Sequence, residues 1–126
     1  MKKVFISLML LQSCVEIGDM FEHITKISDK YSIIENSWGG HSICYKTSEG
    51  YEVRGPGFCK ALAYAIKDSL LVMKYKLQDS SINFYVLNMT NDRHNAKKED
   101  IYLDTLTVTE FKKSPLSHLT LKLVEQ

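Results

Sequence analysis

Apolar positions along the chain follow helical spacing in two stretches and alternate in most of the others. From residue 4 to 27, Val4, Leu8, Leu11 and Val15 recur at helical spacing. Ile17, Met20, Phe21, Ile24 and Ile27 continue the stripe with a phase shift near Gly18. This predicts an N-terminal helix. A buried strand over 3–10 followed by a shorter helix is the competing reading. Tyr31–Glu35, His41–Thr47 and Tyr51–Arg54 are short β-like runs. They are separated by Asn36-Ser37-Trp38-Gly39-Gly40 and Ser48-Glu49-Gly50. Both connections carry turn chemistry, so the three runs read as an antiparallel meander.

Gly55-Pro56-Gly57 marks the end of that sheet. Residues 58–77 contain no Gly and no Pro. Leu62, Ile66, Leu70, Met73 and Leu77 form one stripe, flanked by Ala61, Ala65, Ser69 and Val72. Lys60, Lys67 and Lys74 recur on the far side. The spacing predicts a long helix. Ile82–Leu87 reads as a strand, 88–100 as a polar loop, and 101–111 as a partly alternating run. A break follows at Lys112-Lys113-Ser114-Pro115. Over 116–124, Leu119, Leu121 and Leu123 alternate with His118, Thr120, Lys122 and Val124, which predicts a last strand. The expected fold is α+β: an antiparallel sheet of about five or six strands packed against two helices. A chain of 126 residues suits one hydrophobic core, so 1–126 is read as a single domain.

Composition narrows the function classes. Lys plus Arg number 16 against 15 Asp plus Glu, a formal charge of +1. That balance argues against an extended nucleic-acid footprint. Arg54 and Arg93 are the only arginines, and lysine is the poorer residue for bidentate phosphate recognition. Cys14, Cys44 and Cys59 show neither a CxxC pair nor zinc-site spacing with histidine. They read as three reduced thiols, or as a Cys44–Cys59 disulfide with one free thiol. No metal and no cofactor is expected. Lys2-Lys3, the apolar run 4–11 and Ser13-Cys14 have the order of a bacterial lipoprotein signal. The run is too short to span a membrane. The expectation is an uncleaved cytoplasmic chain, with a lipoprotein anchored through Cys14 as the alternative.

Two features suggest a binding surface. Arg54-Gly55-Pro56-Gly57 precedes the expected helix, with Gly57 as its N-cap and Lys60 in its first turn. A helix N-terminus carries unpaired N–H groups and attracts anions. The Gly-Lys-Ser/Thr ending of a phosphate-binding loop is missing. Trp38-Gly39-Gly40-His41 places the single tryptophan in a turn, where an exposed ring can stack on a planar ligand. Trp38, His41, Arg54, Gly57 and Lys60 are therefore the candidate ligand-binding residues. The loop 88–100, with Asp92, Arg93, His94, Lys97, Lys98, Glu99 and Asp100, reads as a solvated hairpin tip.

A pair of His-x-Thr triplets, His23-Ile24-Thr25 and His118-Leu119-Thr120, resembles the active site of the two-histidine phosphoesterases. The resemblance implies strand-borne triplets. In it His23 and His118 act as general acid and base on a phosphodiester, and Thr25 and Thr120 hold the phosphate. Ser117-His118-Leu119-Thr120-Leu121 carries the alternation such a strand needs, whereas the first triplet sits in helical spacing. The favoured expectation is a small non-enzymatic binding or regulatory protein. It would capture an anionic, nucleotide-like ligand or a protein partner, and a homo-oligomer is one form that completes its pocket. The alternative is a phosphoesterase acting on a phosphodiester or cyclic nucleotide.

Overall fold

The computed structural model describes residues 24–36 and 39–124. Eight strands run through them: β1 Ile24–Lys26, β2 Tyr31–Glu35, β3 His41–Thr47, β4 Gly50–Lys67, β5 Leu70–Lys76, β6 Ile82–Asn88, β7 Tyr102–Thr107 and β8 Lys122–Leu123. Two short helices, α1 Lys98–Ile101 and α2 Val108–Lys113, and a 3₁₀ turn at Pro115–His118 complete the described elements. Strands β1 to β7 form an antiparallel meander in which each pairs with its neighbour in sequence. β8 adds to β4 at Ala63 and Tyr64.

β4 is the spine of the fold. Its first part pairs with β3, from Thr47↔Gly50 to His41↔Cys59. Its second part pairs with β5, from Lys60↔Lys76 to Lys67↔Leu70. One strand thus passes from one half of the meander into the other at Cys59 and Lys60. Tyr31, Ile33 and Ile43 of the first half meet Leu71, Met73, Tyr85 and Leu87 of the second in the main core. The opposite face of the second half holds a smaller core, where Val72, Phe84 and Val86 pack beneath Phe111 of α2. Phe84 and Phe111 stack with centroids 3.8 Å apart.

The helix expected over 58–77 does not form. Its residues make the second part of β4, a turn at Asp68-Ser69, and β5. Leu71, Val72 and Met73 are each fully buried. In a helix three consecutive side chains point about 100° apart and cannot all reach one core. In a strand they alternate, and this strand has a core on each side. Full burial contributes about 1.5–3 kcal/mol per large side chain, against a few tenths per residue of intrinsic helix preference. The apparent stripe is a coincidence of two strands: Ile66 is exposed while Met73 is sealed.

The ends of the chain also depart from expectation. Ile24–Lys26, assigned by spacing to the N-terminal helix, is a strand paired with β2. Ile27, the last residue of that expected helix, follows the strand in irregular chain and packs against the main core, while its residues before 24, Cys14 among them, lie outside the described residues. The run 101–111 divides at Thr107, whose hydroxyl accepts from the Glu110 N–H at 3.1 Å. Glu110 Oε1 accepts from the Thr107 N–H at 2.8 Å. This capping box starts α2 and ends the strand. Pro115 then opens a 3₁₀ turn with Ser114 as its cap. The last strand shrinks to Lys122–Leu123: the 3₁₀ turn takes up residues 115–118, and Leu123 is exposed instead of joining Leu119 and Leu121 on the smaller core, while Val124 enters the main one. The result is sheet-dominated, with more strands and less helix than the pattern suggested.

Candidate functional site

Two clefts flank residues 53–60, where β4 crosses between the halves of the meander. The first, of about 400 Å³, lies between the turn at Gly39-Gly40, the β4 residues Phe58 and Lys60, and the end of β5 at Lys76 with Gln78 in the turn beyond it. The second, of about 540 Å³, lies between Val53–Gly57, Tyr85 and the segment carrying Lys98 and Ile101.

One side of the first cleft is lined by Asn36, Gly39 and Gly40, which are tied together by a backbone and a side-chain hydrogen bond. The Asn36 N–H donates to the Gly40 carbonyl at 2.7 Å, and the Gly40 N–H donates to Asn36 Oδ1 at 3.1 Å. Gly39 completes the turn at φ +82°, a conformation that favours glycine. Behind the turn His41 is buried, and its Nδ1 accepts from the Ala61 N–H at 3.1 Å. The Cys59 thiol donates to the His41 carbonyl at 3.4 Å. These contacts fix the wall on which Phe58 and Lys60 stand.

Lys60 and Lys76 are direct cross-strand partners. Like charges directly opposite one another destabilise a sheet. Among the described residues, the ion pairs formed by arginine and histidine involve neither lysine. The other cross-strand neighbour of Lys76 is Ile82. Asp79, the nearest carboxylate along the chain, is turned onto Ser81, whose N–H and hydroxyl donate to it at 2.9 and 2.6 Å. Those donors hold the Asp79 carboxyl below its usual pKa. Phe58 is 70% exposed at φ +49°. A left-handed backbone costs a residue with a Cβ about 1–2 kcal/mol.

The second cleft borders a buried charge cluster. Arg54 Nη2 lies 2.8 Å from Asp92 Oδ1 and 3.0 Å from Glu52 Oε1. It also donates to the Arg93 carbonyl at 2.9 Å. The guanidinium sits 4.9 Å from the centre of the Tyr45 ring. Burial disfavours its charge, but the Asp92 and Glu52 hydrogen bonds more than offset this and raise its pKa. Tyr31 donates its hydroxyl to Asp92. Burial and that neighbouring carboxylate push the phenol well above its usual range. Glu52 accepts from the Asn95 N–H at 2.9 Å and contacts His94. The loop after β6 is thereby fastened to β4, and is more than a solvated tip.

The candidate residues are dispersed. Lys60 lines the first cleft, and His41 braces it from behind. Gly57 is exposed at the second cleft within a strand, so the helix N-terminus invoked for it is absent. Arg54 is directed at Asp92 and Glu52 and does not line the first cleft. Trp38 and His23 lie outside the described residues. Thr25 is buried on β1. His118 is exposed on the 3₁₀ turn and Thr120 follows in irregular chain, so the second triplet is not on a strand. Spacing missed Lys76 and Phe58. Reading 58–77 as a pair of strands would have set Lys60 opposite Lys76. Cys44 and Cys59 are buried free thiols rather than a disulfide, and burial pushes each up to about 11.

Among the described residues, no group of three or more His, Cys, Asp or Glu is placed to hold a metal ion. None of their helices is long and apolar enough to cross a membrane. Comparison with known proteins finds no matching family model, curated protein or solved structure.

Proposed function

We propose that this protein is a non-catalytic binding protein that captures a small anionic ligand in the first cleft. One observation carries the reading: Lys60 and Lys76 face each other across β4 and β5 at the cleft wall. Two ammonium groups held side by side repel, and an anion between them turns that repulsion into attraction. The cleft volume falls within the range of small-molecule sites. Asn36 and Ser80 add neutral polar groups at its rim. The charge attraction no longer depends on a helix terminus.

Titration calorimetry of the full chain with pyrophosphate at low salt tests the proposal. Binding is expected to weaken at least tenfold in Lys60→Gln with Lys76→Gln. It is also expected to weaken steeply as ionic strength rises, because salt screens exposed charges. Equal affinity in wild type and the double variant refutes the site.

A further inference from the structure

The second cleft lies beside a stretch of β4 whose backbone has a partner on one edge only. Ser48-Glu49 is the two-residue turn between β3 and β4, closed by the Thr47↔Gly50 pair. Residues flanking such a turn form a hydrogen-bonded pair, and the pairs beyond alternate between non-bonded and bonded. Tyr45↔Glu52 is therefore a bonded pair, whereas Lys46↔Tyr51 and Cys44↔Val53 are not. Accordingly the Lys46 N–H turns away from β4 and donates to the Lys30 carbonyl at 2.7 Å. By the same alternation, Tyr51 and Val53 turn their N–H and C=O groups away from β3. The other partners of β4, β5 and β8, pair with it only from Lys60 onward. Among the described residues, no hydrogen bond reaches the Tyr51 or Val53 backbone on that outer edge.

An unpaired strand edge is a template for another chain, and proteins usually blunt such edges with charge, proline or a covering segment. This one presents Tyr51 and Val53, the latter 65% exposed. A strand added there would satisfy their backbone groups and cover their side chains. The second cleft continues the edge: residues 53–57 of β4 form one side and Ala96 and Lys98 the other, with Ile101 also lining it. That far side is held in place, because the Asn95 N–H donates to Glu52 and Arg54 Nη2 donates to the Arg93 carbonyl. The cleft, at about 540 Å³, leaves room for side chains of an incoming strand.

Charge selects the occupant. Lys98 lines the cleft and Lys46 stands opposite Tyr51, both exposed. The ion pairs of the described residues involve neither lysine. Lys98 instead lies 5.1 Å from the centre of the Tyr102 ring. A second copy of this edge would bring its own Lys46 and Lys98, and its Glu52 is already held by Arg54 and Asn95. A strand carrying carboxylates is the better complement. We propose that the free edge of β4 takes an extended acidic peptide from a protein partner, its main chain paired with Tyr51 and Val53 and its carboxylates toward Lys98 and Lys46. Main-chain pairing supplies affinity, and side chains in the cleft supply selectivity. This docking surface is separate from the cleft of Lys60 and Lys76.

Selection of a displayed library of random peptides on the full chain provides the probe, and calorimetry of the best binder provides the test. Asp and Glu are expected to be enriched among the selected peptides. N-methylation of alternate peptide residues is expected to abolish binding in one register and spare it one residue along, because only every second N–H faces β4. Val53→Pro deletes an N–H that β3 does not use, so the urea midpoint is expected to hold while affinity falls about tenfold. Should that variant not fold, Lys98→Glu carries the test. It reverses an exposed charge and is expected to weaken the acidic peptide, with the difference vanishing at high salt. Undiminished affinity in the folded variants, equal effects of the two methylation registers, or a library that yields no acidic binder overturns the proposal. A concentration-dependent dimer that Val53→Pro dissolves overturns it in favour of pairing between copies.

Discussion

Arg54 and Asp92 meet at 2.8 Å in a pair whose side chains are only 5% and 1% exposed. They join β4 to the loop after β6 across 38 residues of sequence. An ion pair this deep adds little stability compared with well-packed apolar side chains, but losing one partner leaves a buried charge alone. Arg54→Ala is expected to destabilise the protein by about 3–5 kcal/mol, measured by urea unfolding. Arg54→Met combined with Asp92→Leu is expected to recover most of that loss. If the double variant is no more stable than Arg54→Ala, desolvated charge is not the cause.

Glu52 gives the cluster a pH dependence. The Asn95 N–H, followed by the Arg54 guanidinium and the His94 charge, lowers its pKa in the folded state. A carboxyl depressed by folding adds stability above its unfolded pKa of about 4.3, and the contribution is lost as pH falls through the folded value. Wild type is therefore expected to lead Glu52→Gln in thermal midpoint at pH 7, with the lead shrinking below about pH 4.3. A gap that stays constant from pH 7 to pH 3 contradicts the assignment.

The parts of the meander that were legible had turns written in glycine and asparagine. His41–Thr47 reproduces its expected bounds because Gly39-Gly40 and Glu49-Gly50 punctuate it. β5 has no such alternation, since Val72 and Met73 are both sealed, each in its own core. A strand covered on both faces loses the period of two that identifies it. Cys59, Ala61 and Ala65 added small side chains that suit a close-packed helix as well as a crowded strand. The same misreading hid the lysine pair: as a helix, Lys60, Lys67 and Lys74 line up, whereas the hairpin sets Lys60 against Lys76. Arg54 stood out as a rare arginine, but its partner Asp92 is remote in sequence and no local pattern announces it.

The buried cysteines yield a prediction of chemical silence. Burial raises both thiols to about 11, and the thiolate is the reactive form. In a Cys14→Ser background, Cys44 and Cys59 are expected to resist a disulfide-exchange reagent at pH 8 and to react fully in urea. Because their folded pKa values exceed the unfolded value of about 8.5, stability is expected to fall as pH rises from about 8.5 toward 11. Stoichiometric labelling of the folded chain at pH 8 rules this out.

Asp68 separates strand from helix most sharply. It adopts φ +53° and, with Ser69, forms the two-residue turn closed by the Lys67↔Leu70 pair. Positive φ at the first central residue alone is the pattern of a type II′ turn, which favours glycine at that place. Asp tolerates the left-handed region better than most residues but still carries a Cβ. Asp68→Gly relieves that strain, while glycine brings more backbone entropy to the unfolded chain. On balance the unfolding free energy from urea denaturation is expected to stay level or rise, by up to about 1 kcal/mol. Within a continuous helix over 58–77, the same glycine would cost up to about 1 kcal/mol, as helix-interior glycines do. Far-UV circular dichroism of Asp68→Gly is expected to match wild type, and a clear loss of stability would restore the helix.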